Sequence, residues 1–351
     1  MASILFRPMR FSRLNIPFMK KKCLLLLIAC FTFIYHPIQA QQIPAQDITL
    51  SQYKYPFPVH FLKLHIQGQQ LQMAYMDVQP SKPNGKTIVL LHGKNFCGAY
   101  WDSTAADLSN NGYRVVIPDQ IGFGKSDKPA HFQYSFQQLA QNTKTLLDSL
   151  QVTKTAILGH SMGGMLATRF ALMYPAVTEK LILENPIGLE DWKIKVPYQS
   201  VDKWYKTELQ QTYDKIKQYM MDSYYAGKWS PAYDKWAQLQ ASWISSPDYS
   251  QVAWNSALTY DMIFTQPVLY EFENIQAPTL LIIGQRDRTA LGKANVPDNI
   301  RRTMGNYPEL GKNAAQKIPH ATLVPIEGVG HLPHIEAYTK FITPLLKFLQ
   351  E

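Results

Sequence analysis

Only three cysteines occur in the 351 residues, and two of them, Cys23 and Cys30, lie in the first 30. Without that leader Cys97 stands alone, so no internal disulfide can form and the chain must rely on its hydrophobic core. The apolar run from Cys23 to Tyr35 has 13 residues, short of the roughly 18 or more of a membrane-spanning helix. A basic cluster beyond the leader is also missing, which argues against a nucleic-acid partner. The net charge is +9, but residues 1 to 22 hold six Lys/Arg and no acid, so it falls to +3 without them. No internal repeat, low-complexity tract or H-E-x-x-H metal motif is present.

The leader itself has a recognisable order. Arg7, Arg10, Arg13, Lys20, Lys21 and Lys22 precede the apolar run, His36-Pro37 closes it, and Ala40 stands before Gln41-Gln42. These are the three parts of a secretory signal, so residues 1–40 are expected to be removed after Ala40 and the protein exported, to a periplasm or outside the cell. Met19, just before three lysines, is an alternative start. Leu27-Ile28-Ala29-Cys30 also imitates a lipoprotein signal with Cys30 as anchor, but the residues after Cys30 stay apolar where such a signal turns polar.

Beyond the leader the chain alternates strand and helix. Val59 to Ile66 and Gln70 to Asp77 read as an antiparallel pair joined near Gly68. Thr87 to Leu91, Arg114 to Pro118, Thr155 to Leu158, Leu181 to Glu184, Thr279 to Gly284 and Ala321 to Ile326 are short apolar runs suited to strands buried on both faces. Helices are expected from Trp101 to Leu108, after the capping pair Ser135/Gln138, after Ser161, and from Pro344 to Leu349, with Thr343 as cap. This order implies an α/β architecture, a mostly parallel sheet with helices on both faces. From Ile187 to about Tyr270 the strand rhythm stops, and six of the seven tryptophans and ten of the 20 tyrosines fall there. That segment reads as an inserted helical cap whose rings are mostly core. The expected divisions are 47–186 and 271–351 for the sheet domain and 187–270 for the cap.

Within this frame Gly159-His160-Ser161-Met162-Gly163 joins a strand to a helix. The pattern G-x-S-x-G in that context holds a serine on a sharp turn at a strand's carboxyl end. A serine hydroxyl needs a base, and the base an orienting acid. Asp287 follows one later strand and His331, on the glycine-bearing loop Gly328 to Gly330, follows the next. Glu184, Asn185, Glu190 and Asp191 offer the alternative position for the acid, and His320 and His334 compete with His331 as the base. His92 and His160 read as scaffold. Gly124-Lys125-Ser126 imitates the end of a phosphate loop but lacks its first glycine, Asp119 standing there.

Four landmarks in order resemble the α/β-hydrolase superfamily over Val59 to Leu349: His92-Gly93, the Asp119 to Ser126 loop, the elbow, and Gly330-His331 with Pro333 and Glu336. The closer resemblance is to its capped esterase, lactonase and epoxide-hydrolase-like branch. It implies the α/β-hydrolase fold and the triad Ser161, Asp287, His331. It also implies an oxyanion hole of the backbone N–H groups of Met162 and Lys94, the Lys94 side chain being read as solvated in preference to a contact for an anionic substrate group. Serine in place of aspartate argues against epoxide hydrolase and dehalogenase chemistry and for an acyl-enzyme. The expected substrate is therefore a small-molecule carboxylic ester or lactone with an apolar or aromatic part. An aminopeptidase or a carbon–carbon hydrolase on the same triad, and a non-catalytic small-molecule receptor, are the alternatives. Neither metal nor organic cofactor is called for, and no membrane span is expected after signal removal.

Overall fold

A computed structural model describes residues 44–351; the expected signal peptide, its cleavage at Ala40 and the Cys30 alternative lie outside the described residues. The eight strands are β1 (Val59–Ile66), β2 (Gln69–Val78), β3 (Thr87–Leu91), β4 (Arg114–Pro118), β5 (Thr155–His160), β6 (Thr178–Glu184), β7 (Thr279–Gly284) and β8 (Ala321–Ile326). They form one sheet in the order β1-β2-β4-β3-β5-β6-β7-β8. The β1–β2 and β2–β4 pairings are antiparallel and every later pairing is parallel. The short apolar runs are central because they have no polar face: every residue of β5 and β7 is buried. Each face of the sheet carries its own apolar cluster, one built with Leu139, Leu166 and Phe170, the other with Trp101, Phe341 and Leu345.

The carboxyl ends of β3, β5, β6 and β7 are brought together by register. Leu91 pairs with Gly159, His160 with Glu184, and Glu184 with Ile282, so the loops after these strands meet on one edge of the sheet. Between β6 and β7 no strand occurs, and helices Val201–Glu208, Tyr213–Ser223, Pro231–Ser242 and Tyr249–Thr265 fill the insertion. Of its six tryptophans only Trp192 and Trp236 are buried. This corrects the expectation that most of the rings would be core: several indoles are half-buried and spend their N–H on a fixed acceptor, as Trp254 does on the Ala130 carbonyl at 2.9 Å. Among the described residues no helix is long and apolar enough to cross a membrane.

Two local expectations are also corrected. The last helix runs from Tyr338 to Gln350, with Pro344 inside it rather than at its start. Its buried stripe, Phe341, Ile342, Leu345, Phe348 and Leu349, begins before the proline, and burial outweighs one lost backbone bond. The carbonyl that loses its partner belongs to Lys340, an exposed residue. Ser135 does cap helix Phe136–Ser149, its side chain accepting from the Gln138 N–H at 3.0 Å. The reciprocal half of the box is absent: the Gln138 oxygen does not accept from the Ser135 N–H, and its amide N–H donates onward to Asn142.

Candidate active site

Ser161 sits between β5 and helix Met162–Met173 with φ 55° and ψ −120°. A non-glycine residue in that region is strained by about 1–3 kcal/mol and persists only where its surroundings impose it. Here the glycines on either side make room for it. A Cβ on Gly159 would lie 2.0 Å from the Gly163 carbonyl oxygen, and one on Gly163 would lie 2.2 Å from that of Leu91. The turn closes only because neither side chain is there, and it lifts Ser161 out of the sheet while leaving it 8% exposed. Met162 N–H and Lys94 N–H find no acceptor among the described residues. The Gly93 Cα lies against Ser161, since a Cβ there would be 3.1 Å from the serine Cβ.

Asp287 and His331 meet as the sequence suggests. His331 Nδ1 lies 2.6 Å from Asp287 Oδ2, and both side chains are buried. Asp287 also accepts from the Asn185 amide at 2.8 Å through Oδ2 and from the Thr289 N–H at 2.8 Å through Oδ1. A carboxylate accepting at both oxygens obliges the imidazole to donate from Nδ1, and in the neutral ring Nε2 is then the acceptor. That Nε2 is buried and has no partner among the described residues, and Ser161 Oγ makes no hydrogen bond to it. Bonds of this kind commonly tighten only when substrate arrives. The loops are tied to one another as well: Glu336 accepts from the Gly330 N–H at 2.7 Å and pairs with Arg286, the residue before Asp287.

The competing residues are occupied elsewhere. Glu184 accepts from both the backbone N–H and Nδ1 of His334, each at 2.8 Å, so the second histidine and the alternative acid form a buried pair of their own. His320 precedes β8 and lies beside the start of β7, at the opposite edge of the sheet from the strand ends that meet here. His92 Nε2 accepts from the Gln120 N–H at 3.1 Å.

Tyr100 and Tyr224, which the sequence did not single out, and Asn185, noted only as part of the alternative acid position, complete the surroundings. Tyr100 OH accepts from the Gly93 N–H at 2.9 Å and lies 3.0 Å from His160 Nδ1, and His160 Nε2 lies 2.8 Å from the His331 carbonyl. Only one proton assignment satisfies this chain: the phenol donates to Nδ1, and Nε2–H donates to the carbonyl. Neutral His160 thereby ties the Gly93 loop to the backbone of His331. Tyr224, from the insertion, stacks on the His331 ring with centroids 4.8 Å apart, its carbonyl receives the His331 N–H at 3.4 Å, and its hydroxyl accepts from Asn95 at 3.1 Å. Asn185 bridges β7 to the acid, accepting from the Gly284 N–H at 2.9 Å while donating to Asp287. No spacing rule flags Tyr100 or Tyr224, because each reaches the site across the fold. Asn185, at φ 36°, drew notice only through its neighbour Glu184.

The Lys94 side chain is part-buried rather than freely solvated, and here the sequence expectation is corrected. It turns into a cavity beneath the insertion, lined also by Asn95, Gln211, Gln240, Trp243 and Tyr249. Burial pushes its pKa down to about 8, opposed by the nearby Glu208 carboxylate. Ser161 does not line this cavity, which meets the site at Lys94 and Asn95.

The alpha/beta hydrolase fold family matches residues 86–338 of the chain, which takes in the elbow, the insertion, Asp287 and His331. The chain belongs to the alpha/beta hydrolase fold family. As an alpha/beta hydrolase it is 54% identical to a probable hydrolytic enzyme from Pseudomonas aeruginosa PAO1 of solved structure, with a TM-score of 0.87, over 88% of this chain and 100% of that one. It is 28% identical over 218 residues to the 2-hydroxy-6-oxononadienedioate/2-hydroxy-6-oxononatrienedioate hydrolase of Comamonas testosteroni, spanning 58% of this chain and 72% of that one. The enol-lactonase of Burkholderia xenovorans LB400, 21% identical with a TM-score of 0.63 over 83% of this chain and 100% of that one, shares the fold.

Two consequences of this hydrolase's histidine and tyrosine chain can be measured. Burial holds both His160 and His92 below the ordinary imidazole value, and for His160 the charges of His331 and His334 act the same way. Unfolded, each takes up a proton near pH 6.5; folded, each does so only at lower pH. The unfolded state therefore binds more protons, and stability falls as pH drops below about 6.5, by up to about 1.4 kcal/mol per pH unit for each group. Urea midpoints should be lower at pH 5.5 than at 7.5, and equal midpoints would contradict the burial argument. Tyr100→Phe strands the Gly93 N–H and His160 Nδ1 without partners. It should cost about 1–3 kcal/mol of stability, as buried unsatisfied groups do, read as a shift in urea midpoint at pH 7.5.

Proposed function

We propose that the protein hydrolyses a carboxylic ester or lactone with an apolar or aromatic part through an acyl-enzyme on Ser161. The observation that carries this is the strained serine beside a buried His–Asp pair whose free Nε2 is held as an acceptor. In the proposed reaction His331 Nε2 takes the Ser161 proton as Oγ attacks the carbonyl carbon. Asp287 holds the imidazolium that results, through Nδ1–H. The developing oxyanion is met by the N–H groups of Met162 and Lys94, each such donor commonly contributing about 3 to 4 kcal/mol. His331 then gives its proton to the leaving alcohol, and water, deprotonated by the same ring, frees the acid and regenerates Ser161. The half-buried insertion rings Trp243 and Tyr249, on the cavity wall, suit an apolar or aromatic group.

Carbon–carbon cleavage beside a ketone is a second reading, favoured by the likeness to the Comamonas testosteroni hydrolase. It uses the same groups, because attack on a ketone also develops an oxyanion. A panel of chromogenic esters run beside a vinylogous diketone decides between them. The ester reading predicts turnover of the esters alone, and turnover of the diketone with none of the esters would replace it by the second.

A further inference from the structure

The residue proposed to donate its N–H to the oxyanion sends its side chain in the opposite direction, into the insertion. Lys94 Nζ donates to Ser256 Oγ at 2.6 Å and stands 3.4 Å from the centroid of the Tyr260 ring. Ser256 Oγ in turn donates to Glu208 Oε2 at 2.7 Å. An ammonium has three donors, and Ser256 is the one oxygen that accepts from this one among the described residues. Glu208 reaches the lysine only through that hydroxyl and forms no direct ion pair with it. The charge is thus partly withdrawn from water and has no direct counter-ion, in agreement with the downward pull of burial on its pKa. A partly desolvated ion with spare donors gains when a ligand supplies the missing acceptor.

We propose that Lys94 is the receptor for a carboxylate carried by the substrate, so that the preferred esters of Ser161 are half-esters of dicarboxylic acids or esters of carboxylated alcohols. The proposal rests on the ester-hydrolase reading and narrows it. Lys94 borders both places that matter, its amide beside Ser161 and its ammonium on the wall of the cavity, so a carboxylate a few bonds from the scissile carbonyl reaches Nζ while that carbonyl faces the amide. Glu208 sets the opposite limit. Its own charge lies behind Ser256 on the same wall, so a substrate with a second anionic group there is repelled. Asn95, Gln211 and Gln240 on the cavity lining offer uncharged donors for the second carboxylate oxygen. The competing account makes Lys94 a clasp between the sheet domain and the insertion. A clasp affects charged and neutral substrates alike.

The test is the ratio of kcat/KM for a charged ester to that for its neutral counterpart, measured within each protein so that any general effect of the variant cancels. Two pairs serve: p-nitrophenyl hemiglutarate against p-nitrophenyl pentanoate, and 4-(butanoyloxy)benzoate against its methyl ester. At pH 6.5, where Lys94 is charged, the wild type should favour the charged member of at least one pair by about tenfold, the worth of one charge-assisted bond. Lys94→Met should bring that ratio to about one. No preference in either pair, or a preference that survives in Lys94→Met, overturns the proposal while leaving ester hydrolysis standing. If no ester is turned over, the ester reading fails, and the anion site is judged by binding alone. In Ser161→Ala, monomethyl glutarate should raise the melting temperature more than dimethyl glutarate does, and adding Lys94→Met should remove the difference. Equal shifts overturn the proposal.

Discussion

Ser161→Ala should lower kcat on any ester the wild type turns over by about 10⁴- to 10⁶-fold, the range seen when a nucleophile acting in concert with its base is removed. It should do so without loss of fold. Alanine has no Oγ to attack with, but its Cβ occupies the space of the serine's, and the turn depends on Gly159 and Gly163 rather than on the hydroxyl. The removed Oγ holds no hydrogen bond among the described residues, so no partner there is stranded. Fluorophosphonate labelling followed by mass spectrometry checks this directly: the wild type should gain one adduct on Ser161 and the alanine variant none. A folded wild type that takes no label would overturn the acyl-enzyme and favour a small-molecule receptor.

Asp287→Asn should cost about 10³- to 10⁴-fold in kcat with KM little changed, as expected when the acid that orients and neutralises a catalytic imidazole is lost. The geometry around Asp287 makes the outcome severe. Three donors converge on its two oxygens: His331 Nδ1 and the Asn185 amide on Oδ2, and the Thr289 N–H on Oδ1. An amide has one oxygen, so in either orientation an –NH₂ group faces a donor, and the imidazolium formed during attack loses its counter-charge. The alternative acid cannot step in, because Glu184 is committed to His334. Steady-state kinetics on a chromogenic ester, with a thermal melt to show that the variant is folded, tests the assignment. Retention of more than about a tenth of the activity would remove Asp287 from its proposed role.

The sheet was legible because its central strands are short apolar runs without alternation, and two-sided burial leaves little else for Ile88 to Leu91 or Leu280 to Ile283 to do. The elbow was legible because its glycines answer a local steric demand. Asp287 and His331 could be found by their place after the last two strands, which is a matter of order along the chain. Tyr100 and Tyr224 could not, since one hydroxyl lies seven residues from its backbone partner Gly93 and 60 from His160, and the ring of the other comes from the insertion. The Lys94 side chain was misread for the same reason. Its surroundings, Ser256, Tyr260 and Glu208, belong to helices whose placement over the sheet is fixed by packing of large rings, and a hydropathy pattern carries no record of that. Pro344 marks the opposite error, in which a local rule about proline was trusted over the apolar stripe running through it.

The stacking of Tyr224 on His331 bears on engineering. Insertions between β6 and β7 invite exchange among relatives as self-contained cassettes that would carry specificity with them. In this protein the insertion supplies a wall for the imidazole, a carbonyl for its backbone N–H and an acceptor for Asn95. A graft that brings a new pocket without an aromatic ring and carbonyl at the place of Tyr224 would therefore alter the base together with the specificity, and successful chimaeras should be those that keep the turn from Ser223 to Tyr225.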